Sequence, residues 1–104
     1  MKQRVKPGTR AVLKELQSLP SVGPSIAVDL YELGIRSVAA LGRKDPERLY
    51  TRHCEQKGMV VDRCVLYTFR CAVYAARTQT PRKDLLLWWN WKDRTLPRRR
   101  SRVG

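Results

Sequence analysis

The sequence predicts an all-α fold, a compact bundle of about five helices, from two observations. Apolar residues recur at helical spacing through most of the 104 residues, and no segment alternates apolar and polar side chains as a half-buried strand does. Glycine and proline residues separate these periodic segments. A chain of this length is expected to form one domain with a modest core.

The first two helices are predicted on either side of a short Gly/Pro-containing turn. Thr9 is a suitable N-cap for the first helix, which should end near Ser18. The second helix is predicted over residues 24–33, because Pro24 suits a first helical position. Gly34 then has the position expected of the glycine that follows a helix.

Capping residues also delimit the next two helices. Ser37 is predicted to begin a short third helix that Gly42 closes. Asp45 is predicted as the N-cap of a fourth helix, which should run to about Lys57 and end at Gly58. The fourth helix therefore carries a start signal and a stop signal.

The rest of the chain is predicted as a long helix, a short helical segment and a tail. Residues 60–77 are apolar around most of the helical circumference, so we expect the central, most buried helix there. Residues 84–91 are predicted as a final helix or helical turn. The resulting division is a basic flexible N-terminus (1–8), a helical domain (9–93) and a basic disordered tail (94–104).

Charge is concentrated at the two ends. The formal net charge is +13, with a pI of about 10.5, which favours a polyanionic partner. Residues 1–10 carry four basic side chains and residues 94–104 carry five, with no acidic side chain in either segment. Residues 11–93 carry thirteen basic and nine acidic side chains. The folded part is therefore mildly basic, and its ends are strongly basic.

The most informative segment is residues 19–35, LPSVGPSIAVDLYELGI. It resembles a helix-hairpin-helix, a DNA-backbone-binding motif of many repair and recombination proteins. Val22 is expected to point into the core and anchor the turn. Amides around Gly23, Ser25 and Ile26 are expected to face a phosphate, because helix-start N–H groups are unpaired and carry the positive end of the helix dipole.

The segment departs from the helix-hairpin-helix pattern in two places. Ser21 replaces the first glycine, and Pro24 has no backbone donor. The alternative is a helical hairpin that only packs, as in modules that bind other proteins. A second, degenerate hairpin unit is possible around Gly58, between the fourth and fifth predicted helices, but it lacks a second glycine.

A second candidate for DNA contact is a stripe on the predicted 60–77 helix. Its members are spaced by four and three residues, which keeps them on one face: Arg63, Tyr67, Arg70, Tyr74 and Arg77. Arginine contacts phosphates well, and tyrosine can stack or hydrogen-bond. The alternative is that the arginine heads pair with acidic residues of neighbouring helices.

Two segments near the C-terminus are also candidates for nucleic-acid contact. Trp88, Trp89 and Trp91 can stack on unpaired bases, or dock against the core and stabilise a small domain. The tail supplies further candidate phosphate contacts: Arg98, Arg99 and Arg100.

No residue pattern predicts catalysis, a metal or a cofactor. Cys54, Cys64 and Cys71 form no CxxC pair, and the last two lie about 10 Å apart along a helix. His53 and Cys54 are sequence neighbours, so their side chains diverge on a helix. We expect structural, reduced cysteines and no enzyme activity.

The expected compartment is the cytoplasm, and the expected protein is not membrane-bound. The longest apolar run, residues 71–76, is far short of the ~20 residues of a spanning helix, and no signal-peptide pattern follows the N-terminus. An odd number of cysteines argues against a disulfide framework and for a reducing interior.

Four segments extend the resemblance beyond the hairpin itself. They read LPSVGPSIAVDLYELGIRSV, KDPERLY, DRCVLYTFRCAVYAA and LLLWWNWKD, within residues 19–93. The chain resembles a small bacterial family, the pathogenicity-locus or mitomycin-resistance-type helix-hairpin-helix proteins. The resemblance implies an all-α fold that contains this motif, and an association with DNA.

These observations together predict a DNA-binding protein without catalytic activity. We expect non-specific contact with backbone phosphates, helped by the basic ends, and a link to DNA repair or recombination. One alternative is a protein-interaction module whose hairpin contacts a partner in a repair complex. Another is an RNA-binding protein, which rests on the charge alone.

Overall fold

A central helix, α5, organises the fold. The computed structural model describes residues 7–96, and in that range it has five α-helices, two short 3₁₀ helices and no strand. The all-α fold class is therefore confirmed. In chain order the elements are α1 (Pro7–Leu16), α2 (Pro24–Glu32), α3 (Val38–Gly42), α4 (Pro46–Lys57), α5 (Cys64–Arg77) and the 3₁₀ helices Lys83–Leu86 and Trp88–Trp91.

Helix α5 is the most buried helix, as its apolar circumference predicted. It contacts α3, α4 and both 3₁₀ helices. Its buried residues are Leu66, Thr68, Phe69, Arg70, Cys71, Ala72 and Val73. The predicted start at residue 60 is wrong, since the helix begins at Cys64. The Asp62 carboxylate accepts a 2.9 Å hydrogen bond from the Cys64 N–H, so a local polar turn precedes the helix.

Helix α1 begins two residues before the predicted N-cap. Thr9 lies inside the helix, and its hydroxyl is 2.9 Å from the Tyr31 hydroxyl of α2. The Thr9 side chain therefore links α1 to α2 instead of capping α1.

The ends of α2 follow the local sequence signals. The helix runs from Pro24 to Glu32, and Gly34 adopts a φ of +92°. The Ile35 N–H donates to the Leu30 carbonyl over 3.0 Å, which is the outer bond of a Schellman turn. A left-handed residue is needed at this place, and glycine adopts that conformation at the lowest cost.

Helices α3 and α4 begin at the predicted caps. The Ser37 hydroxyl accepts from the Ala40 N–H, and the Asp45 carboxylate accepts from the Glu47 N–H, each over 3.0 Å. Helix α4 ends at Gly58, whose φ is +70°. The predicted caps of both helices are therefore confirmed. They could be predicted because short-range hydrogen bonds determine where these helices begin and end.

Gly42 has a role that its sequence position did not predict. It is the last residue of α3, and it is buried against the C-terminal turn of α5. A Cβ atom at Gly42 would be 3.1 Å from the Ala76 carbonyl oxygen and 3.3 Å from the Cα atom of Arg77. The glycine therefore lets two backbones approach closely.

The C-terminal part of the described chain forms a second small cluster around a tryptophan. The predicted helix over residues 84–91 is two 3₁₀ helices, because Leu87 between them is extended, with φ −103° and ψ 117°. Trp91 is buried, and its indole N–H donates to the Leu85 carbonyl over 2.8 Å. Cys71 completes the buried part of this cluster.

Candidate nucleic-acid interface

The turn between α1 and α2, residues 17–23, is closed by short-range backbone hydrogen bonds. The Leu19 N–H donates to the Leu16 carbonyl over 3.1 Å, and the Val22 N–H donates to the Leu19 carbonyl over 3.2 Å. Helices α1 and α2 also contact each other directly. The turn therefore holds the first residues of α2 at a defined place on the surface.

Ser21 adopts a backbone conformation that favours glycine. Its φ is +70°, which is the left-handed region. Its hydroxyl donates a long, 3.4 Å hydrogen bond to the Leu86 carbonyl and lies 3.5 Å from the Cys71 thiol. The position where the helix-hairpin-helix pattern has its first glycine therefore has a glycine-like backbone here.

Val22 anchors the turn as predicted. Its side chain is 6% exposed and belongs to the main core, together with Leu16 of α1 and Ala27 of α2. Its N–H donates to Leu19, so Val22 contributes the shape of the turn and not a free backbone donor.

The start of α2 is open to solvent. Gly23 is the N-cap residue, with an extended backbone (φ −93°, ψ −173°), and no side chain caps the helix. Gly23 and Ser25 are exposed, and Ile26 is half-buried. Because the first N–H groups of a helix have no intrahelical partner, the amides of Ser25 and Ile26 are candidate donors for an external acceptor. Pro24 adds no N–H.

Gly23 is not required by the fold. Its φ is one that any residue adopts, and no atom lies within 4 Å of a Cβ built on it. Its glycine character therefore has no explanation in packing or backbone strain, unlike that of Gly42 or Gly34. What it supplies is free access to the backbone at the helix start.

Of the predicted stripe on α5, Arg70 points into the protein. It is 6% exposed. Its Nε donates to the Glu47 carboxylate over 2.7 Å, and its Nη1 donates to the Trp91 carbonyl over 2.8 Å. Arg70 therefore joins α4, α5 and the C-terminal segment, as in the alternative in which arginine heads pair with acids of neighbouring helices.

The two ends of the stripe differ from its centre. Arg77 donates from Nε to the Gly42 carbonyl over 3.0 Å and from Nη2 to the Lys44 carbonyl over 3.1 Å, so it holds the end of α3. Arg63 is exposed, with its guanidinium carbon 5.9 Å from the Tyr67 ring centroid. Arg63 is thus the exposed arginine of the stripe, whereas Arg77 is half-buried.

The tryptophans divide between core and surface. Trp91 is buried, and its ring centroid is 5.3 Å from that of Tyr74. Trp88 is half-buried against the same cluster, whereas Trp89 is 56% exposed. Packing on the core therefore accounts for two of the three rings, and the more exposed Trp89 lies edge-to-face with Trp88, with ring centroids 5.8 Å apart. Of the tail candidates, Arg98, Arg99 and Arg100 lie outside the described residues.

His53 and Cys54 face different neighbours. His53 is buried, with its Nε2 atom 3.9 Å from the Asp29 carboxylate and its ring edge-to-face with Phe69. Burial raises the pKa of Asp29, and the nearby histidine opposes that rise. The Cys54 sulfur accepts from the Val61 N–H over 3.4 Å. The pair therefore has the divergent geometry expected of neighbours on a helix.

The cysteines are separate thiols. Cys54 and Cys64 are half-buried, Cys71 is fully buried, and none forms a disulfide. Burial raises the pKa of Cys71, and burial together with the neighbouring Asp62 carboxylate raises the pKa of Cys64. Among residues 7–96, no three His, Cys, Asp or Glu side chains are grouped closely enough to hold a metal ion.

The possible second hairpin, residues 58–63, presents apolar side chains. Met59 is 63% exposed and Val60 is 82% exposed. They border a shallow depression with Tyr50 and Cys54 of α4. This turn differs chemically from the 17–23 turn. The exposed apolar side chains of Met59 and Val60 follow Gly58, whereas the 17–23 turn ends in Gly23, which has no side chain.

A basic cleft at the junction of α3 and α4 is a feature that the sequence reasoning missed. It has a volume of about 580 Å³. Its lining residues are Arg43, Lys44, Asp45, Pro46, Glu47, Arg48, Arg70, Arg77, Thr95 and Leu96. The segment RKDPER at residues 43–48 was a usable signal, since three of its six residues are basic and a helix start divides them.

Within residues 7–96, no helix has the length and apolar character needed to cross a membrane.

Comparisons with known proteins agree with the resemblance seen in the sequence. The model of a family described as Cdd1, pathogenicity locus, matches residues 9–96. A curated protein, mitomycin resistance protein McrB of Streptomyces lavendulae, is 34% identical over 77 residues, which cover 74% of this chain and 70% of the relative. No solved structure matches.

Proposed function

This chain belongs to the pathogenicity-locus family, and we propose that it binds DNA through backbone phosphates without sequence preference and without catalysis. In this proposal the 17–23 turn acts as a helix-hairpin-helix, and the amides at the start of α2 hold a phosphate. Free thiols fit a reducing compartment, so the proposed site of action is the cytoplasm, in DNA repair or recombination.

The observation that carries the proposal is the open glycine at the start of α2. Gly23 has an ordinary φ and nothing within 4 Å of its Cβ position, so the fold itself does not require glycine there. A phosphate that approaches the amides of Ser25 and Ile26 passes this position, where a side chain would obstruct it. Ser21, at φ +70°, shapes the turn that leads to this point.

The charge distribution supports the same ligand. A formal net charge of +13 on 104 residues attracts a polyanion over long distances, and most of the excess lies in the terminal segments. Contacts to phosphates release counterions, so affinity should fall steeply as salt is raised. Sequence preference is not expected, because a phosphate contact carries no information about the base.

The testing experiment places a carboxylate beside the proposed phosphate. Ser25→Glu is made in a full-length chain in which Arg98, Arg99 and Arg100 are glutamine, so that the tail does not mask the effect. Ser25 is exposed in the first turn of α2, where an acidic side chain stabilises the helix by about 0.3–1 kcal/mol. The melting temperature should therefore stay constant or rise slightly.

Binding to duplex DNA should weaken by about tenfold, which corresponds to about 1.4 kcal/mol. The matched control is Gln79→Glu, an exposed loop position with the same charge change, which should weaken binding much less. Gly23→Ala is a second, uncharged probe that should keep the stability and still weaken binding. Unchanged DNA affinity in both Ser25→Glu and Gly23→Ala, with the fold intact, would contradict the proposal.

A protein-interaction role is the second candidate, and the apolar 58–63 turn favours it. Met59 and Val60 are more exposed than large apolar side chains usually are. This alternative predicts that Ser25→Glu leaves DNA affinity unchanged. Parallel titrations against structured RNA separate the third possibility, because RNA bound more tightly than duplex DNA at the same salt would favour an RNA ligand.

A further inference from the structure

The basic cleft between α3 and α4 has an unbalanced set of charges. Five basic and two acidic side chains line it. Both acidic groups already have partners within the protein: Asp45 caps α4 by accepting from the Glu47 N–H, and Glu47 accepts from Arg70. The carboxylates are therefore committed to structure, and the cleft keeps an excess of positive charge.

Three basic side chains at the cleft are uncommitted. Arg43, Lys44 and Arg48 are exposed, and none of them makes an ion pair or a side-chain hydrogen bond to another residue of the described chain. Holding three like charges around one depression costs free energy unless an anion or solvent compensates them. The sides of the cleft thus present donors without an internal acceptor.

The floor of the cleft is held by hydrogen bonds and close backbone packing. Arg77 of α5 donates to the carbonyls of Gly42 and Lys44, which neutralises two acceptors that would repel an anion. Gly42 packs directly on the backbone of α5, so this connection sits close against the core. The cleft volume, about 580 Å³, is within the range of sites that hold small molecules or parts of larger ones.

The charge of the cleft indicates the class of its occupant. Its basic side chains outnumber its acidic ones, and both acidic groups already have partners within the protein. An external anion is therefore attracted by the cleft.

We infer that this cleft is a second phosphate-binding site, which takes a backbone phosphate of the nucleic acid, an assignment that rests on the proposed function for the identity of the anion. The site uses Arg43, Lys44 and Arg48 as the contacting groups, with none of the residues of the 17–23 turn. The protein then holds a nucleic acid at two separate places.

The test neutralises the three uncommitted side chains in the full-length chain, as Arg43→Gln, Lys44→Gln and Arg48→Gln together. All three are exposed, so the melting temperature should change little. The slope of log K against log salt for duplex DNA should become shallower by about 2 to 3, at about 0.9 for each phosphate that the protein no longer neutralises. The control, with Arg52, Lys57 and Lys83 changed to glutamine, removes the same charge elsewhere and should change the slope by less than about 1.

A variant that keeps the charge tests whether the charge of these side chains, and not their shape, determines the slope. Arg43→Lys with Arg48→Lys keeps the charge and should retain most of the slope. Equal slope changes in the glutamine triple variant and its control would overturn the inference, because the charge would then act only as a diffuse field. A rise in the melting temperature with inorganic phosphate, together with an unchanged DNA slope in the triple variant, would also overturn it and assign the cleft to a free anion.

The outcome of the cleft experiment can be distinguished from the outcome of the Ser25→Glu experiment, which tests the 17–23 turn. A shallower slope in the cleft variant with no effect of Ser25→Glu supports the cleft and rejects the turn. Weakened binding by Ser25→Glu with no effect of the cleft variant supports the turn and rejects the cleft.

Discussion

Replacing Arg70 with methionine removes a guanidinium that connects three parts of the fold. Arg70 is 6% exposed, donates to the Trp91 carbonyl over 2.8 Å and pairs with Glu47 over 2.7 Å. A hydrogen bond from a charged group is worth about 1.5–3 kcal/mol, and its removal leaves the carbonyl without its donor. The Glu47 side chain is 44% exposed, so solvent screening limits the ion pair to about 1 kcal/mol or less.

The free energy of unfolding of Arg70→Met should therefore fall by about 2–3 kcal/mol, since methionine recovers part of the apolar packing. For a domain of this size, that corresponds to a decrease of roughly 10–20 °C in melting temperature. Urea denaturation followed by far-ultraviolet circular dichroism measures the change, with an m-value like that of the parent.

Arg63→Met is the matched control on the same stripe. Arg63 is exposed at the start of α5, so this change should alter the free energy of unfolding by less than about 0.5 kcal/mol. The reasoning is refuted if Arg70→Met is as stable as Arg63→Met.

Ser21→Gly should raise the free energy of unfolding by about 1 kcal/mol, because φ +70° strains a non-glycine residue. If urea denaturation instead gives a lower free energy of unfolding, the hydroxyl contacts of Ser21 outweigh the strain. Gly42→Ala should lower the free energy of unfolding by about 1–2 kcal/mol, because the added Cβ atom contacts the α5 backbone. Gly8→Ala, which has open space around it, should raise the free energy of unfolding slightly, and effects of the same sign in the two variants would contradict the role of packing at Gly42. At about pH 8, Cys71 should react with an alkylating reagent only on unfolding, since burial raises its pKa and excludes the reagent. Modification of Cys71 in the native protein as fast as in urea would disprove this. Purified protein should contain no stoichiometric zinc or iron, and a chelator should leave the melting temperature unchanged; a lower melting temperature in the chelator would indicate a structural metal.

The local sequence determined the helices whose ends are capped by near neighbours. Asp45 and Gly58 bound α4, and Gly34 ends α2, because each of these residues acts through hydrogen bonds or backbone angles within a few positions. Val22 was also predictable as the anchor of the turn, since an apolar residue between polar turn residues has only the core to occupy. The start of α5 was not, because apolar residues before Cys64 continued the helical pattern while Asp62 interrupted the helix.

Only the tertiary structure decided which charged side chains are available to a ligand. Arg63 and Arg70 belong to the same predicted stripe, yet Arg70 is buried and Arg63 is exposed. The difference comes from Glu47 and Trp91, which lie 23 and 21 residues away in the chain. The basic cleft likewise depends on packing between α3, α4 and the C-terminal segment. A pattern within one helix shows which residues share a face, but burial depends on what packs against that face.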